Sequence, residues 1–271
     1  MDRPHPARRT RWTIAAVLPL LALAASWLAP PAKADPPPPE GPWRVLFVGN
    51  SFTFFNDLPG VLEALVKASG QKRGIEVVSR TAPGAKLKDH WDRGAAEVIR
   101  GSRWDYVVLQ EQSVTPLASV GRDELFYPYA RKLGEVIRAE GAVPLFYMTW
   151  KRPGAKEEQK EWTDSYLAIT RELKARVCPA GMAVEDLLAR KKEFPFHADG
   201  IGHPTKEGTY LVACTFFASI YDVSPVGLPA SVTTAGGLTV GVAEGDAKLV
   251  QTAAWEAQAA VKKALEEDPP K

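Results

Sequence analysis

The chain has 271 residues, of which 45% are hydrophobic and 24% are charged, and this composition is typical of a globular protein. Its formal net charge of +2 indicates neither a nucleic acid nor an anionic surface as a partner. The two cysteines, Cys178 and Cys214, either pair in an oxidising compartment or remain buried thiols, and they are too isolated to indicate a metal site.

Residues 1–34 have the layout of a secretory signal peptide. Several arginines precede the apolar run Thr13–Leu28, and an A-x-A cleavage motif ends at Ala34. An uncleaved anchor is the alternative, but the run is short for a span of about 20 apolar residues and Pro19 interrupts it. We therefore expect cleavage between Ala34 and Asp35, a secreted or periplasmic product, and no stable membrane span after cleavage.

The remaining chain divides by composition into three parts. Residues 35–42 are rich in proline and predict an extended spacer. Residues 43–266 are long enough for one domain with a sizeable core, and residues 267–271 are expected to form a disordered tail.

Strands and helices alternate along this domain. Predicted strands are Trp43–Val48, Ile75–Ser79, Trp104–Leu109, Ala142–Trp150 and a short one near Met182–Val184. Apolar residues at helical spacing lie between them and continue to about Tyr221. This order predicts βαβ units and a central parallel sheet with helices on both faces. Ser224–Gly241 reads as a loop or hairpin, and Glu244–Glu266 as a final helix.

Polar groups follow several of the predicted strands. Ser51 comes directly after the first strand, Gly84 lies in the turn after the second, Gln110–Ser113 follow the third and Trp150 ends the fourth. Because the carboxyl ends of parallel strands meet at one edge of a sheet, we expect these groups to converge there.

Ser51 is a candidate nucleophile, although a single serine after a strand is more often a cap or a turn residue. A serine becomes a strong nucleophile only when a base accepts its proton. His203 is the best candidate base, because it lies at a loop-to-helix junction with Pro204 beside it. Asp199 is close enough in sequence to orient the imidazole of His203, which would complete a triad in the chain order Ser, Asp, His.

Three blocks of this sequence resemble those of the SGNH (GDSL-like) hydrolase family. They are Gly49-Asn50-Ser51-Phe52-Thr53, the glycine of Ala82-Pro83-Gly84, and Asp199 to His203. The resemblance spans residues 44–221 and implies a flavodoxin-like three-layer α/β/α sandwich. It also implies ester hydrolysis through an acyl-enzyme, without a metal or another cofactor. Ser51 would attack, His203 would act as base and then acid, and Asp199 would orient His203.

The same resemblance implies an oxyanion hole. Its donors would be the backbone N–H groups of Ser51 and Gly84 and a side-chain amide. The family usually supplies that amide from an Asn in Gly-x-Asn-Asp, whereas this strand ends in Gln110-Glu111-Gln112. Gln110, or else Gln112, would then be the donor.

A further departure concerns the triad. The last block has three residues between Asp199 and His203 instead of two, so a Ser51–His203 dyad supported by a backbone carbonyl is the alternative. His90 and Trp91, downstream of Gly84, are candidates for the substrate pocket, as is Trp150, and each could equally pack in the core. The expected partner is a small-molecule or glycan ester, and the sequence does not indicate an oligomeric state.

Two other function classes fit parts of the pattern. A metal-dependent phosphoesterase would use His197, Asp199 and His203, but no second carboxylate-rich cluster accompanies them. A non-catalytic exported binding module of the same fold is supported mainly by the unusual Gln110-Glu111-Gln112 block.

Overall fold

A computed structural model describes Met1 and residues 41–267 of the chain. Nearly all of the predicted signal peptide and spacer, and the tail beyond residue 267, lie outside the described residues. Their boundaries and the predicted cleavage site therefore remain predictions. Among the described residues, no helix combines the length and apolarity needed to cross a bilayer.

The core of the fold is a five-stranded parallel sheet in the order β2-β1-β3-β4-β5. Its strands are β1 (Trp43–Gly49), β2 (Ile75–Thr81), β3 (Tyr106–Leu109), β4 (Val143–Tyr147) and β5 (Arg176–Cys178). Helices cover both faces of the sheet, which confirms the predicted three-layer α/β/α architecture.

Helices lie between successive strands of the sheet, and α7, α8 and α9 follow its last strand along the chain. They are α1 (Ser51–Phe54), α2 (Leu58–Ser69), α3 (Leu87–Asp92), α4 (Ala95–Arg100), α5 (Tyr127–Ala139), α6 (Gln159–Glu172), α7 (Ala180–Arg190), α8 (Lys206–Tyr221) and α9 (Glu244–Glu267). A 3₁₀ turn (Phe55–Asp57) joins α1 to α2, and a π-helical turn (Arg122–Phe126) precedes α5.

Strand β1 shows how the sequence sets the layers. Successive side chains of a strand point to opposite faces, and Val45 and Phe47 belong to one apolar cluster whereas Leu46 and Val48 belong to the other. All four are fully buried, so β1 occupies the interior of the sheet. Because β1 is buried and central, it fixes the position of the residues directly after its carboxyl end, which are Asn50 and Ser51.

The predicted short strand at Met182–Val184 is wrong. The fifth strand is Arg176–Cys178, and Met182–Val184 lie within helix α7. A short apolar run fits both a buried strand and a buried helix segment. The helical alternative wins because Ala180, Val184 and Leu187 recur at helical spacing and are buried together.

The last part of the domain contains the hairpin that was one of two alternatives for Ser224–Gly241. Its strands β6 (Ser231–Thr233) and β7 (Thr239–Gly241) pair in antiparallel register. Cys178 and Cys214 are free and fully buried. Burial raises the pKa of the Cys214 thiol to about 12, so both behave as core residues.

Candidate active site

Ser51 begins helix α1 directly after strand β1, at the carboxyl edge of the sheet. The two residues before it explain this position. A Cβ on Gly49 would lie 2.6 Å from both Gln110 Oε1 and Thr53 Oγ1, so only glycine fits there. Asn50 caps α1 by accepting a hydrogen bond from Phe52 N at 3.1 Å.

The amide of Asn50 also connects the nucleophile to the neighbouring strand end. Its Nδ2 donates to the carbonyl oxygen of Ala85 at 2.9 Å, which fixes the turn that carries Gly84. An aspartate carboxylate could accept the cap hydrogen bond but could not make this donation. The asparagine in the Gly-Asn-Ser block therefore has a local structural role.

His203 lies within hydrogen-bond distance of Ser51 and Asp199 at once. Its Nε2 is 2.8 Å from Ser51 Oγ, and its Nδ1 is 2.6 Å from Asp199 Oδ2. The hydrogen bond from His203 lowers the pKa of the Asp199 carboxyl to about 2, so this group is ionised near neutral pH. An ionised acceptor at Nδ1 places the proton of a neutral imidazole there and leaves Nε2 free to accept the Ser51 proton.

The segment Asp199–His203, here called the histidine loop, accommodates its extra residue by folding back on itself. Asp199 Oδ1 accepts hydrogen bonds from the backbone N–H groups of Ile201, Gly202 and His203 at 3.0, 2.8 and 3.1 Å. Gly202 has a φ of 102°, which side-chain-bearing residues rarely adopt. The three-residue spacing is therefore compatible with contact between Asp199 and the imidazole.

Aromatic side chains hold the imidazole in place. The ring of Phe55 stacks on His203 with centroids 4.6 Å apart, and Phe52 meets its edge at 5.4 Å. Trp150 stacks on Phe52 at 5.0 Å and donates from Nε1 to the carbonyl oxygen of Gly202 at 2.9 Å. Trp150 is buried and does not line the cleft beside Ser51. Its contribution is to anchor the histidine loop through the hydrogen bond to Gly202.

Asn56 links the nucleophile's segment to the segment that follows His203. Its Nδ2 donates to the carbonyl oxygen of Pro204 at 2.9 Å and to Thr209 Oγ1 at 3.0 Å. Asn56 and Asp57 both adopt left-handed backbone conformations, with φ of 51° and 52°. Such conformations cost roughly 1–2 kcal/mol per residue, and side-chain hydrogen bonds of this kind offset that cost.

Two backbone donors lie on the other side of Ser51. The N–H groups of Ser51 and Gly84 make no hydrogen bond within the described residues, and both residues line the same cleft. Gly84 has a φ of 63°. A Cβ there would have no described atom within 4 Å, so its conformation, and not crowding, calls for glycine.

The two candidate amide donors have different surroundings in the segment Gln110–Ser113, here called the glutamine loop. Gln110 has no exposed surface, and its Oε1 accepts hydrogen bonds from Asn50 N at 2.8 Å and Thr53 Oγ1 at 2.9 Å. Its Nε2 donates to Glu111 O at 2.7 Å. Gln110 therefore does not line the cleft, which corrects the first choice of oxyanion donor: it braces the ends of β1 and β3.

Gln112 lines the cleft instead. Its Oε1 accepts from Val114 N and Thr115 Oγ1, both at 3.1 Å, and this contact orients the amide. Within the described residues the Nε2 of Gln112 has no hydrogen-bond partner, so its donors are free for a ligand. The alternative donor named from the sequence is thus the one that the structure places beside Ser51.

Glu111 is buried between these two glutamines and has no exposed surface. Its carboxyl group accepts from Gln112 N at 2.6 Å and from Leu87 N at 3.3 Å, and so connects the glutamine loop to the start of α3. Loss of hydration on burial raises its pKa to about 8. Sequence reasoning gave this residue no role, although a charged residue inside an apolar strand end was a usable signal.

Two of the predicted pocket residues are packed elsewhere. His90 is buried and its Nε2 lies 2.8 Å from the carbonyl oxygen of Gly49, which supports the end of β1. Burial lowers the pKa of His90, so the neutral ring donates to that carbonyl. Trp91 packs at the margin of the second apolar cluster with Lys132 over its ring. Their closeness to Gly84 in sequence does not carry over to the cleft, because helix α3 turns them away.

The cleft beside Ser51 has a volume of about 390 Å³. Its walls are largely apolar and include Phe54, Phe55, Pro83 and Ile201. Arg152, from the loop after β4, also lines it and was not predicted from the sequence. A basic residue two positions after a predicted strand end was the signal that could have indicated it.

The residues proposed for a metal site do not form one. Asp199 faces His203, and within residues 41–267 no group of three or more His, Cys, Asp or Glu side chains is placed to hold a metal ion. His197 lies in a separate cavity behind Arg152, against the side of α7.

Comparison with solved structures supports one fold. A candidate SGNH hydrolase from Slackia heliotrinireducens superposes with a TM-score of 0.55 at 23% identity, covering 66% of this chain and 100% of that one. The chain has the fold of the SGNH hydrolases. A lipase/acylhydrolase from Enterococcus faecalis gives a TM-score of 0.52 at 16% identity over 66% of this chain and 96% of that one.

A structure that extends further along this chain is a DUF4886 family protein from Bacteroides uniformis. It covers 84% of this chain and 97% of its own length, with a TM-score of 0.59 and 18% identity. No family model matches the chain, and no curated protein matches it in sequence. At these identities the SGNH likeness concerns the fold, and the chemistry rests on the residues themselves.

Proposed function

We propose that this protein is an exported serine esterase of the SGNH type that hydrolyses carboxylic esters with O-acetyl or other short acyl groups. The observation that carries the proposal is the hydrogen-bonded line from Ser51 Oγ through His203 to Asp199, with unpaired donors on the opposite side of Ser51. Nucleophile, base and orienting group, aligned in this way, are the parts that acyl transfer requires.

The reaction follows from these positions. Ser51 Oγ attacks the ester carbonyl carbon while His203 Nε2 accepts its proton, and the ionised Asp199 stabilises the resulting imidazolium. The carbonyl oxygen becomes an oxyanion that accepts hydrogen bonds from Ser51 N, Gly84 N and Gln112 Nε2. The C–O bond then breaks, and His203 protonates the departing alcohol.

Deacylation repeats the same steps with water. Water attacks the acyl-enzyme carbonyl, His203 accepts one of its protons, and the carboxylic acid leaves as Ser51 recovers its hydroxyl hydrogen. The cleft of about 390 Å³ with apolar walls suits a short acyl group next to a small alcohol such as a sugar. The lipase/acylhydrolase from Enterococcus faecalis, which has a similar fold, supports the proposed ester chemistry.

The first test targets Ser51. Wild-type protein is expected to hydrolyse 4-nitrophenyl acetate in the presence of EDTA, and Ser51→Ala to lose that activity by about 10⁴-fold or more. Ser102→Ala is the matched control, because Ser102 is exposed in the loop that precedes β3, at the opposite edge of the sheet. Loss of wild-type activity on adding EDTA would contradict the mechanism.

A fluorophosphonate probe separates a catalytic serine from a binding module of the same fold. We expect labelling of Ser51 in the wild type and none in His203→Ala. Intact mass of the labelled protein recovered from the export compartment also tests the proposed mature start at Asp35. Absence of both labelling and turnover would favour the non-catalytic alternative.

A further inference from the structure

Arg152 introduces a charge into an otherwise uncharged cleft. Among the described residues that line it, Arg152 is the only Lys, Arg, Asp or Glu, and Ser51, Gln112 and His203 line the same cleft. The side chain is half-buried and follows strand β4 by five residues. It therefore contributes a positive charge to the space that a substrate would occupy.

The guanidinium group is held on one side only. Its Nε and Nη2 both donate to the buried hydroxyl of Ser113, at 2.9 and 2.7 Å. Ser113 is itself fixed, since its carbonyl oxygen accepts from Trp162 Nε1 at 2.6 Å. A guanidinium group has five N–H donors, so most of them remain available after this contact.

In the part of the chain that the structure describes, no acidic side chain neutralises this charge. Within residues 41–267 no carboxylate lies at ion-pair distance from Arg152, whereas Arg131 pairs with Glu172 and the adjacent Lys151 pairs with Glu158. The two carboxyl groups near the site do not pair with Arg152 either. Asp199 faces His203, and Glu111 is buried with a raised pKa.

We propose that Arg152 determines specificity by binding a carboxylate carried by the ester substrate. This inference rests on the proposed esterase function. A planar guanidinium with free parallel donors matches the two oxygens of a carboxylate, and such charge-assisted pairs are stronger than neutral hydrogen bonds. The substrate class is therefore an acidic ester, for example an acetylated sugar acid.

The position of Arg152 separates this role from stabilisation of the oxyanion. Strand β4 lies two strands from β1 in the sheet, which is about 10 Å at the usual strand spacing. The proposed oxyanion donors Gly84, Ser51 and Gln112 follow strands β2, β1 and β3, which are neighbours in the sheet. Arg152 follows β4, on the far side of β3, and donates there to Ser113. The substrate's carboxylate would therefore bind beside the scissile ester and not at its carbonyl oxygen.

The test compares acidic esters with neutral esters of the same shape. One pair is an O-acetylated hexuronic acid and its methyl ester, which places the charge on the alcohol side. The other is mono(4-nitrophenyl) adipate and 4-nitrophenyl hexanoate, which places it on the acyl side. We expect the wild type to prefer the acidic member of one pair by about tenfold or more in kcat/KM, mainly through a lower KM.

Arg152→Gln is expected to abolish this preference. Arg152→Lys is expected to retain part of it, because the positive charge remains but the planar pair of parallel N–H donors is lost. Arg138→Gln is the matched control, since Arg138 is exposed in the last turn of α5, at the opposite edge of the sheet. It should leave the preference unchanged. Added salt should weaken the preference, as expected for a partly exposed ion pair.

Two failures are distinguishable. If the wild type hydrolyses both members of both pairs equally, or if Arg152→Gln keeps the preference with a wild-type melting temperature, the role of Arg152 is overturned and the esterase function stands. If Arg152→Gln unfolds, Arg152→Lys takes its place. A reduced preference for the acidic ester then supports the role of Arg152, and an unchanged preference overturns it. If no ester is hydrolysed and Ser51 is not labelled by a fluorophosphonate, both proposals fail.

Discussion

The histidine loop and the glutamine loop each place a carboxyl group at the same edge of the sheet, and the two groups differ in charge. The Asp199 side chain is 39% exposed and its pKa is lowered to about 2. Glu111 has 0% exposure and its pKa is raised to about 8. Both accept hydrogen bonds from backbone N–H groups, so those bonds alone do not decide the charge.

Hydration and a basic partner make the difference. Asp199 keeps water on one side and has His203 on the other, and both favour the ionised form. Glu111 has lost its hydration and has no cation in hydrogen-bond contact among the described residues. One carboxyl group is thus suited to stabilise an imidazolium, and the other to hold backbone segments together.

The largest effect that tests this contrast is expected for Asp199→Asn. Replacing the ionised group removes the charge that stabilises the His203 imidazolium and favours the wrong tautomer. We expect kcat/KM to fall by about 10³-fold, somewhat less than for a buried triad aspartate because water partly screens this one. Steady-state hydrolysis of 4-nitrophenyl acetate measures it.

Asp164→Asn is the control for that experiment, since Asp164 is an exposed α6 residue paired with Lys160. Near-normal activity in Asp199→Asn would show that Ser51 and His203 act as a dyad supported by other groups.

A smaller effect is expected for Gln112→Ala, which removes one oxyanion donor. We expect kcat to fall by about 10²-fold with little change in KM. Gln110→Ala should instead lower the melting temperature, because it leaves the buried Asn50 N–H and Thr53 hydroxyl without their acceptor. If Gln110→Ala lost kcat at normal stability while Gln112→Ala stayed active, the assignment of the donor would be reversed.

The smallest effect concerns stability and Glu111→Gln. The carboxyl group stays protonated in the folded protein up to its pKa of about 8 but ionises near its ordinary 4.5 once unfolded. The unfolded chain then binds fewer protons, so Glu111 makes the free energy of unfolding decrease as pH rises from 4.5 to about 8, with no further change above.

Glu111→Gln should therefore show a smaller drop in melting temperature between about pH 5 and about pH 8 than the wild type. Glu97→Gln, at an exposed position of α4, should retain the wild-type drop. An unchanged drop in Glu111→Gln would mean that this carboxyl group is ionised in the folded protein at neutral pH.

Much of the fold could be predicted because the sequence alternates between apolar strands and amphipathic helices. The prediction failed at Met182–Val184, where three apolar residues fit either structure and only the neighbouring turns of α7 decide. The positions of Ser51, Gly84 and Gln112 followed from the rule that strand ends converge. Those expectations depended on topology and not on side-chain packing.

Side-chain direction was the part that the sequence could not supply. Gln110 and Gln112 have the same chemistry, and the structure separates them because Gln110 still continues buried strand β3 whereas Gln112 lies beyond it. Likewise, proximity in sequence suggested His90 for the pocket, but the rotation of α3 directs its ring to Gly49. Arg152 follows a predicted strand end, but the sequence does not show which way its side chain points, and the contact with Ser113 does.

The hydrogen bonds of Asn56 have a consequence for how the site assembles. They join the turn after Ser51 to Pro204 and Thr209, about 150 positions away along the chain. Nucleophile and base therefore become neighbours only when the start of α8 docks against the first βα unit, a contact of high sequence separation. We expect the two segments to open together in hydrogen exchange, as one cooperative unit. Partly folded chains would then carry no competent serine.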